Sequence, residues 1–227
     1  TRPSSNGDGT IERPFSTIDN LINGPTVDII RVVAGGPADS LVSTGPISLF
    51  DNQRLLSSAV DHTFIAAQGT FTLPGFTGGP LPELRNNDTS PSSVIILADS
   101  NEVSGFAING LGEPDPLDPL AVAPFHTGIV SQPGGVTATP GSSLIFGSAI
   151  SFDVNRNEIF NVTNGVVVTH TGTGVGNLSE NVVTGLGPSS GRGLSVTATL
   201  GSDLTLTVDD NIVTEFQGED LNQNDIL

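Results

Sequence analysis

Four asparagines in this chain carry matching surroundings, and no other feature restricts the fold as strongly. The stretch ADSNEVSGFAING, residues 98–110, holds the first, Asn101, and Asn157, Asn181 and Asn211 follow. Two residues after them stand Val103, Ile159, Val183 and Val213; five after stand Phe106, Val162, Leu186 and Phe216. Three residues before stand Ala98, Val154, Leu178 and Val208. Five before, the set Ile96, Phe152, Gly176 and Leu206 has one exception. Apolar residues make up only 36% of the chain, so an unbroken apolar set at three offsets is a repeat rather than composition.

The spacings between the asparagines are 56, 24 and 30 residues. The last two suit a stacked repeat, and the first predicts two turns of the stack, the middle one disguised near HTGIVSQPGGV. Within a unit such as SDLTLTVDDN, Leu204, Leu206 and Val208 fall on one face, and Thr205, Thr207 and Asp209 on the other. Each Asn is expected at a corner, in the left-handed backbone region that Asn tolerates. Stacking at ~4.8 Å then lines the amides into a hydrogen-bonded ladder. Composition agrees with strands: Val, Ile, Leu and Thr dominate, with 28 Gly and 16 Pro to turn the chain.

The residues NGDGTIERPFSTIDNLI, 6–22, resemble the start of right-handed parallel β-helix proteins of the pectate-lyase-like superfamily. DIIRVVAGG, ISLFDNQRLLSS and VIILADSNEVSGFAI are similar to rungs of the non-catalytic surface and passenger domains of bacterial exported proteins. The resemblance implies an all-β fold, a right-handed parallel β-helix (a solenoid) closed by a short N-terminal capping helix. Ile18, Leu21 and Ile22 would form the apolar face of that helix, with Ser16 or Thr17 at its start. The expected organisation is a cap over residues 1–24, a β-helix over 25–218 and a C-terminal tail over 219–227. Long Pro- and Gly-rich loops are expected near 72–93 and 109–125. The opening TRPSSNGDGT reads as a processed or excised boundary.

Several classes of function are disfavoured by charge and composition. There are 24 Asp and Glu against 7 Arg, with no Lys, and the net charge of -17 repels nucleic acid. No apolar run approaches the ~18 residues of a membrane-spanning helix, so membrane insertion is not expected. The chain has no Cys and hence no thiolate or cysteine metal site. DLNQNDIL resembles half of a calcium loop, with Asp220, Asn222 and Asn224 as alternate oxygen donors, and calcium is the one cofactor the sequence suggests.

No catalytic residue is assigned. VDDN offers Asp209 and Asp210, but a hydrolase needs two carboxylates facing one groove, whereas Asp209 should point outward and Asp210 should sit at a corner. His62, His126 and His170 lack a nucleophile motif and read as structural. GTGVGN, 172–177, reads as a turn. With neither Trp nor Tyr, the aromatic platforms for a ligand are Phe76 and Phe125 in the two long loops, while Phe106, Phe152 and Phe216 take inward positions. Sequons occur at Asn87, Asn161 and Asn177.

The expected function is a non-enzymatic extracellular or cell-surface domain, a structural stalk, filament subunit or adhesin. A polysaccharide lyase or glycoside hydrolase is the alternative, and a carbohydrate-binding module without turnover is the second. Expected partners are further copies end to end, neighbouring domains of a longer chain, and a glycan or host-surface ligand.

Overall fold

The computed structural model describes residues 29–33, 40–75, 80–90, 92–112, 123–131, 151–187, 190–198 and 201–216. Among them there is no helix, and nearly all strands belong to three parallel sheets. Sheet A orders β1 (Ile29–Val32), β4 (Arg54–Ser57), β9 (Asn101–Ser104), β12 (Phe152–Asn155), β15 (Thr173–Ser179) and β18 (Asp203–Asp209). Sheet B orders β2 (Ser40–Ser43), β7 (Glu83–Asn86), β10 (Ala107–Asn109), β13 (Glu158–Val162), β16 (Val182–Gly187) and β19 (Ile212–Phe216). Sheet C orders β3 (Ile47–Ser48), β8 (Ser93–Leu97), β11 (Thr127–Ser131), β14 (Val166–His170) and β17 (Leu194–Ala198). The chain visits A, B and C in that order five times, then A and B once more. This cyclic order is compatible with a parallel β-helix. The expected capping helix, with Ile18, Leu21 and Ile22, lies outside the described residues.

Alternation sorts each strand's side chains into an inner and an outer row. Ile30, Leu55, Val103, Val154 and Leu178 from sheet A meet Leu84, Ile108, Ile159 and Val183 from sheet B, and Ile47, Ile95, Ile129 and Val166 from sheet C, in one buried core. Phe106 and Phe152 are buried with them, and Phe216 packs against the edge of this core. The exception in the repeat, Gly176, has a packing reason. It stands beside Phe152 in register, and a Cβ there would collide with the Phe152 ring.

The structure corrects three expectations about the course of the chain. First, β9 pairs directly with β12, so the 56-residue interval contains one cycle and not two. The surplus lies in the connections before and after β11, and HTGIV contributes β11 itself. Second, the stretch 72–93 is not one loop. His62–Ala66 (β5) and Gly69–Leu73 (β6) form an antiparallel hairpin ending inside it, and β7 occupies its middle. Third, GTGVGN is not a turn. Only Gly172 turns, at φ 80°, and the following residues enter β15.

Candidate functional site

The asparagine positions sort into two different corners. Between sheets A and B, Asn181 Oδ1 accepts the backbone N–H and the side-chain amide of Asn157, both at 3.1 Å. Asn211 Oδ1 accepts the same two groups of Asn181, at 3.0 and 2.9 Å. The remaining amide hydrogens of Asn157, Asn181 and Asn211 reach the carbonyls of Val103, Val154 and Leu178. The column continues upward to Phe106, whose N–H donates to Asn157 Oδ1 at 3.1 Å.

Asn101 is not part of that column. It lies at the corner between sheets C and A, in register with Gln53. Asn101 Oδ1 accepts Ala98 N–H at 2.6 Å, as Gln53 Oε1 accepts Phe50 N–H at 2.9 Å. The asparagines themselves do not occupy the left-handed region, contrary to expectation. The preceding residue does: Ser100 at φ 58°, Arg156 at 54°, Glu180 at 55° and Asp210 at 50°. Each amide then satisfies backbone groups that the left-handed residue turns away from the ladders.

The outer face of sheet A gathers the chemistry that the sequence reading missed. Register aligns Arg54, Glu102, Asp153 and Asn177 in one row across four strands. The Arg54 guanidinium lies 3.6 Å from the Glu102 carboxylate and 5.1 Å from the centre of the Phe64 ring. Asp153 Oδ1 accepts amide hydrogens from Asn155 and Asn177 at 2.7 and 2.8 Å. The β5–β6 hairpin stands beside this row, with Phe64 and Phe71 paired across its strands. Arginines fasten it: Arg156 Nη1 donates to Asp61 O and Arg31 Nη2 to Pro74 O, each at 2.7 Å. Burial raises the Glu102 pKa, helped by the negative charge of Asp153 and opposed by Arg54 and Arg156. The sequence signal for this site was HTFIAAQGTFTL, two alternating runs around a Gly, which is a hairpin pattern.

The ligand platforms expected in the loops fare differently. Phe125 is half-buried and bridges Leu111 in antiparallel fashion, closing the base of the 109–125 connection. Phe76 lies outside the described residues, as do Asp220, Asn222 and Asn224. Among the described residues no group of three or more acidic or His side chains could hold a metal ion. Asp209 is exposed on the outer row, and Asp210 sits at the corner position shared with Arg156 and Glu180.

All three histidines are buried. His62 Nε2 meets Ser57 O at 2.6 Å, His170 Nε2 meets Gly172 O at 2.9 Å, and His126 Nδ1 accepts Ser92 N–H at 3.0 Å. Burial lowers the pKa of His62, reinforced by Arg156 and Arg31 against its hydrogen bond to Ser57 and the charge of Asp61. Burial also lowers that of His126, against Asp88. Below about pH 6.5 the unfolded chain therefore takes up protons that the folded chain refuses, and stability falls as pH falls. Glu102 acts in the opposite sense: its raised pKa makes the folded state take up a proton first as pH drops. The melting temperature should fall between pH 7.5 and 5.5, and fall further in Glu102→Gln, which lacks the opposing carboxyl group. A melting temperature that rises over this interval in both proteins would remove the buried histidines from the account.

Comparison with known protein families, curated proteins and solved structures finds no match.

Proposed function

We propose that the chain is a right-handed parallel β-helix acting as a non-enzymatic extracellular surface domain, a stiff module with an adhesive flank. Each A–B–C cycle is then one coil, and the asparagine column and shared core couple neighbouring coils along the rod. The observation that carries this reading is the commitment of the charged side chains on the sheet A flank. Arg31 and Arg156 fasten the hairpin, while Arg54 is shared between Glu102 and Phe64. The hairpin itself offers a partner uncharged groups: Ile65 is 89% exposed and Phe71 52% exposed, alongside exposed Thr63, Gln68, Thr70 and Thr72. An exposed Phe with threonine hydroxyls around it suits the C–H faces and hydroxyls of a glycan.

One observation favours hydrolysis as a second reading. Glu102 and Asp153 come from adjacent strands in register, and a glycosidase needs a protonated carboxyl group beside a charged one. Co-sedimentation with insoluble acidic and neutral polysaccharides, in calcium and in chelator, separates the two when released sugar is assayed. The expected result is binding without release, weakened about fivefold by Phe71→Ala, as the loss of an aromatic contact worth about 1 kcal/mol requires. Sugar release that disappears in Glu102→Gln would replace the adhesive reading with a hydrolase. Binding lost in chelator would move the contact to a calcium-dependent site. Neither binding nor release would leave only the rod.

A further inference from the structure

We propose that the edge of β18, which pairs with no further strand among the described residues, is a docking site for an extended strand of a partner protein, basic at both ends and apolar at alternate positions between. The inner row of sheet A is sealed at Val154 and Leu178, 0% and 1% exposed, but Val208 in the same row is 53% exposed. The next row, Phe152–Gly176–Leu206, likewise ends half-open at Leu206.

The backbone of this edge is set to pair. Asp203 N–H donates to Gly172 O at 2.6 Å and Asp209 O accepts Glu180 N–H at 3.0 Å, so these residues face β15. In a parallel ladder successive residues face opposite sides, which turns the N–H and C=O groups of Leu204, Leu206 and Val208 to the free edge. A strand added there gains main-chain hydrogen bonds from the edge and side-chain burial from the open row.

Charge selects the occupant. Residues 203–216 hold Asp203, Asp209, Asp210 and Glu215 and no Arg. The outer row of β18 reads Asp203, Thr205, Thr207, Asp209, all exposed. A seven-residue strand in register therefore places its first and last side chains beside two aspartates, where Lys or Arg is favoured. Its second, fourth and sixth side chains extend the rows of Leu204, Leu206 and Val208 and should be apolar. A second copy presenting its own β18 edge fits poorly. Two β18 edges paired antiparallel would set Asp203 against Asp209 at both ends, between molecules that each carry a net charge of -17.

The test uses the whole chain and a fluorescent peptide, Lys-Val-Thr-Val-Thr-Val-Lys between Gly-Ser flanks, followed by anisotropy at low and high salt. Saturable binding is expected, about tenfold tighter than that of the Glu-ended analogue and weakened by salt. In the double variant Asp203→Lys, Asp209→Lys the preference should reverse. Both side chains are exposed, so the variant should keep the parent's melting temperature. N-methylation of alternate peptide amides should abolish binding if the edge pairs through its backbone. Equal binding of the two peptides, or a preference unchanged in the double variant, would overturn the proposal. So would a dimer in sedimentation that excludes the peptide, since the edge would then belong to a second copy.

Discussion

Asn181→Leu is expected to lower stability by about 3 kcal/mol, the largest single effect of any side chain on the corner between sheets A and B. Asn181 is fully buried, and its side chain makes bonds in two directions. Its Oδ1 holds the N–H and the amide of Asn157, and its Nδ2 holds Val154 O and Asn211 Oδ1. Leucine has similar bulk but leaves the Asn157 N–H and one of its amide hydrogens without an acceptor, and removes the side-chain donor from the Val154 carbonyl, where water cannot reach them. Each such group costs about 1–3 kcal/mol, and relaxation recovers some of the sum. Asn211, at the last of these corners among the described residues and only half-buried, should cost under about 1 kcal/mol when changed likewise, because water replaces its partners. Denaturant unfolding of single and double variants distinguishes a column from isolated corners. Asn157 and Asn181 should be coupled, whereas Asn101 and Asn181 should be additive because they share no partner. A stability unchanged in Asn181→Leu, or coupling between Asn101 and Asn181, would dissolve the column as a cooperative unit.

The two kinds of corner also explain how far the sequence could be read. Aligning the chain on Asn reveals a true repeat for Asn157, Asn181 and Asn211 and the apolar residues three before and two after them, which superpose strand for strand. Register shifts in sheet B set Val162 beside Gly185 and Phe216 beside Gly187, so Leu186 falls out of the five-after set. It misplaces Asn101 because both corners use one local solution, a left-handed residue followed by a side-chain amide. Val103 belongs to sheet A, whereas Ile159, Val183 and Val213 belong to sheet B. Their apolar pattern is identical because every strand of the stack buries one face. The matching position at the corner of Asn101 is Gln53, preceded by left-handed Asn52 at φ 65°, and a search for Asn alone passes over it. The sheet A flank is hidden for a different reason. Arg54, Glu102 and Asp153 lie far apart in sequence and meet only through strand register, which connections of unequal length obscure. The hairpin is local and legible, yet the Gly and Pro after it favour a loop.

Gly165→Ala should be nearly as damaging, at about 3 kcal/mol, though no left-handed φ requires glycine there. Gly128, Gly165 and Gly193 stand one above another where the chain passes from sheet B to sheet C. A Cβ on Gly165 would collide with Gly193 O and with the Val183 side chain, and one on Gly128 would lie 2.7 Å from Gly165 O. The carbonyl in the way cannot simply retreat, because Gly193 O accepts Val166 N–H at 2.8 Å in the sheet C ladder. Val183 is fully buried and closes the other side. The methyl group must therefore either push neighbouring strands away from each other or displace a core side chain. Gly193→Ala should cost less, since its Cβ would meet Val213 and Phe216, one exposed and one half-buried, which can yield more readily than a ladder carbonyl. Gly45→Ala supplies the control: nothing stands within 4 Å of its Cβ, and the change should be neutral or stabilise slightly by restricting the unfolded chain. Urea midpoints ordered Gly45→Ala, Gly193→Ala, Gly165→Ala from highest to lowest are the expected outcome. Equal losses at Gly165 and Gly45 would mean that the strands can separate freely at this corner, and the tight stacking of sheet C would have to be abandoned.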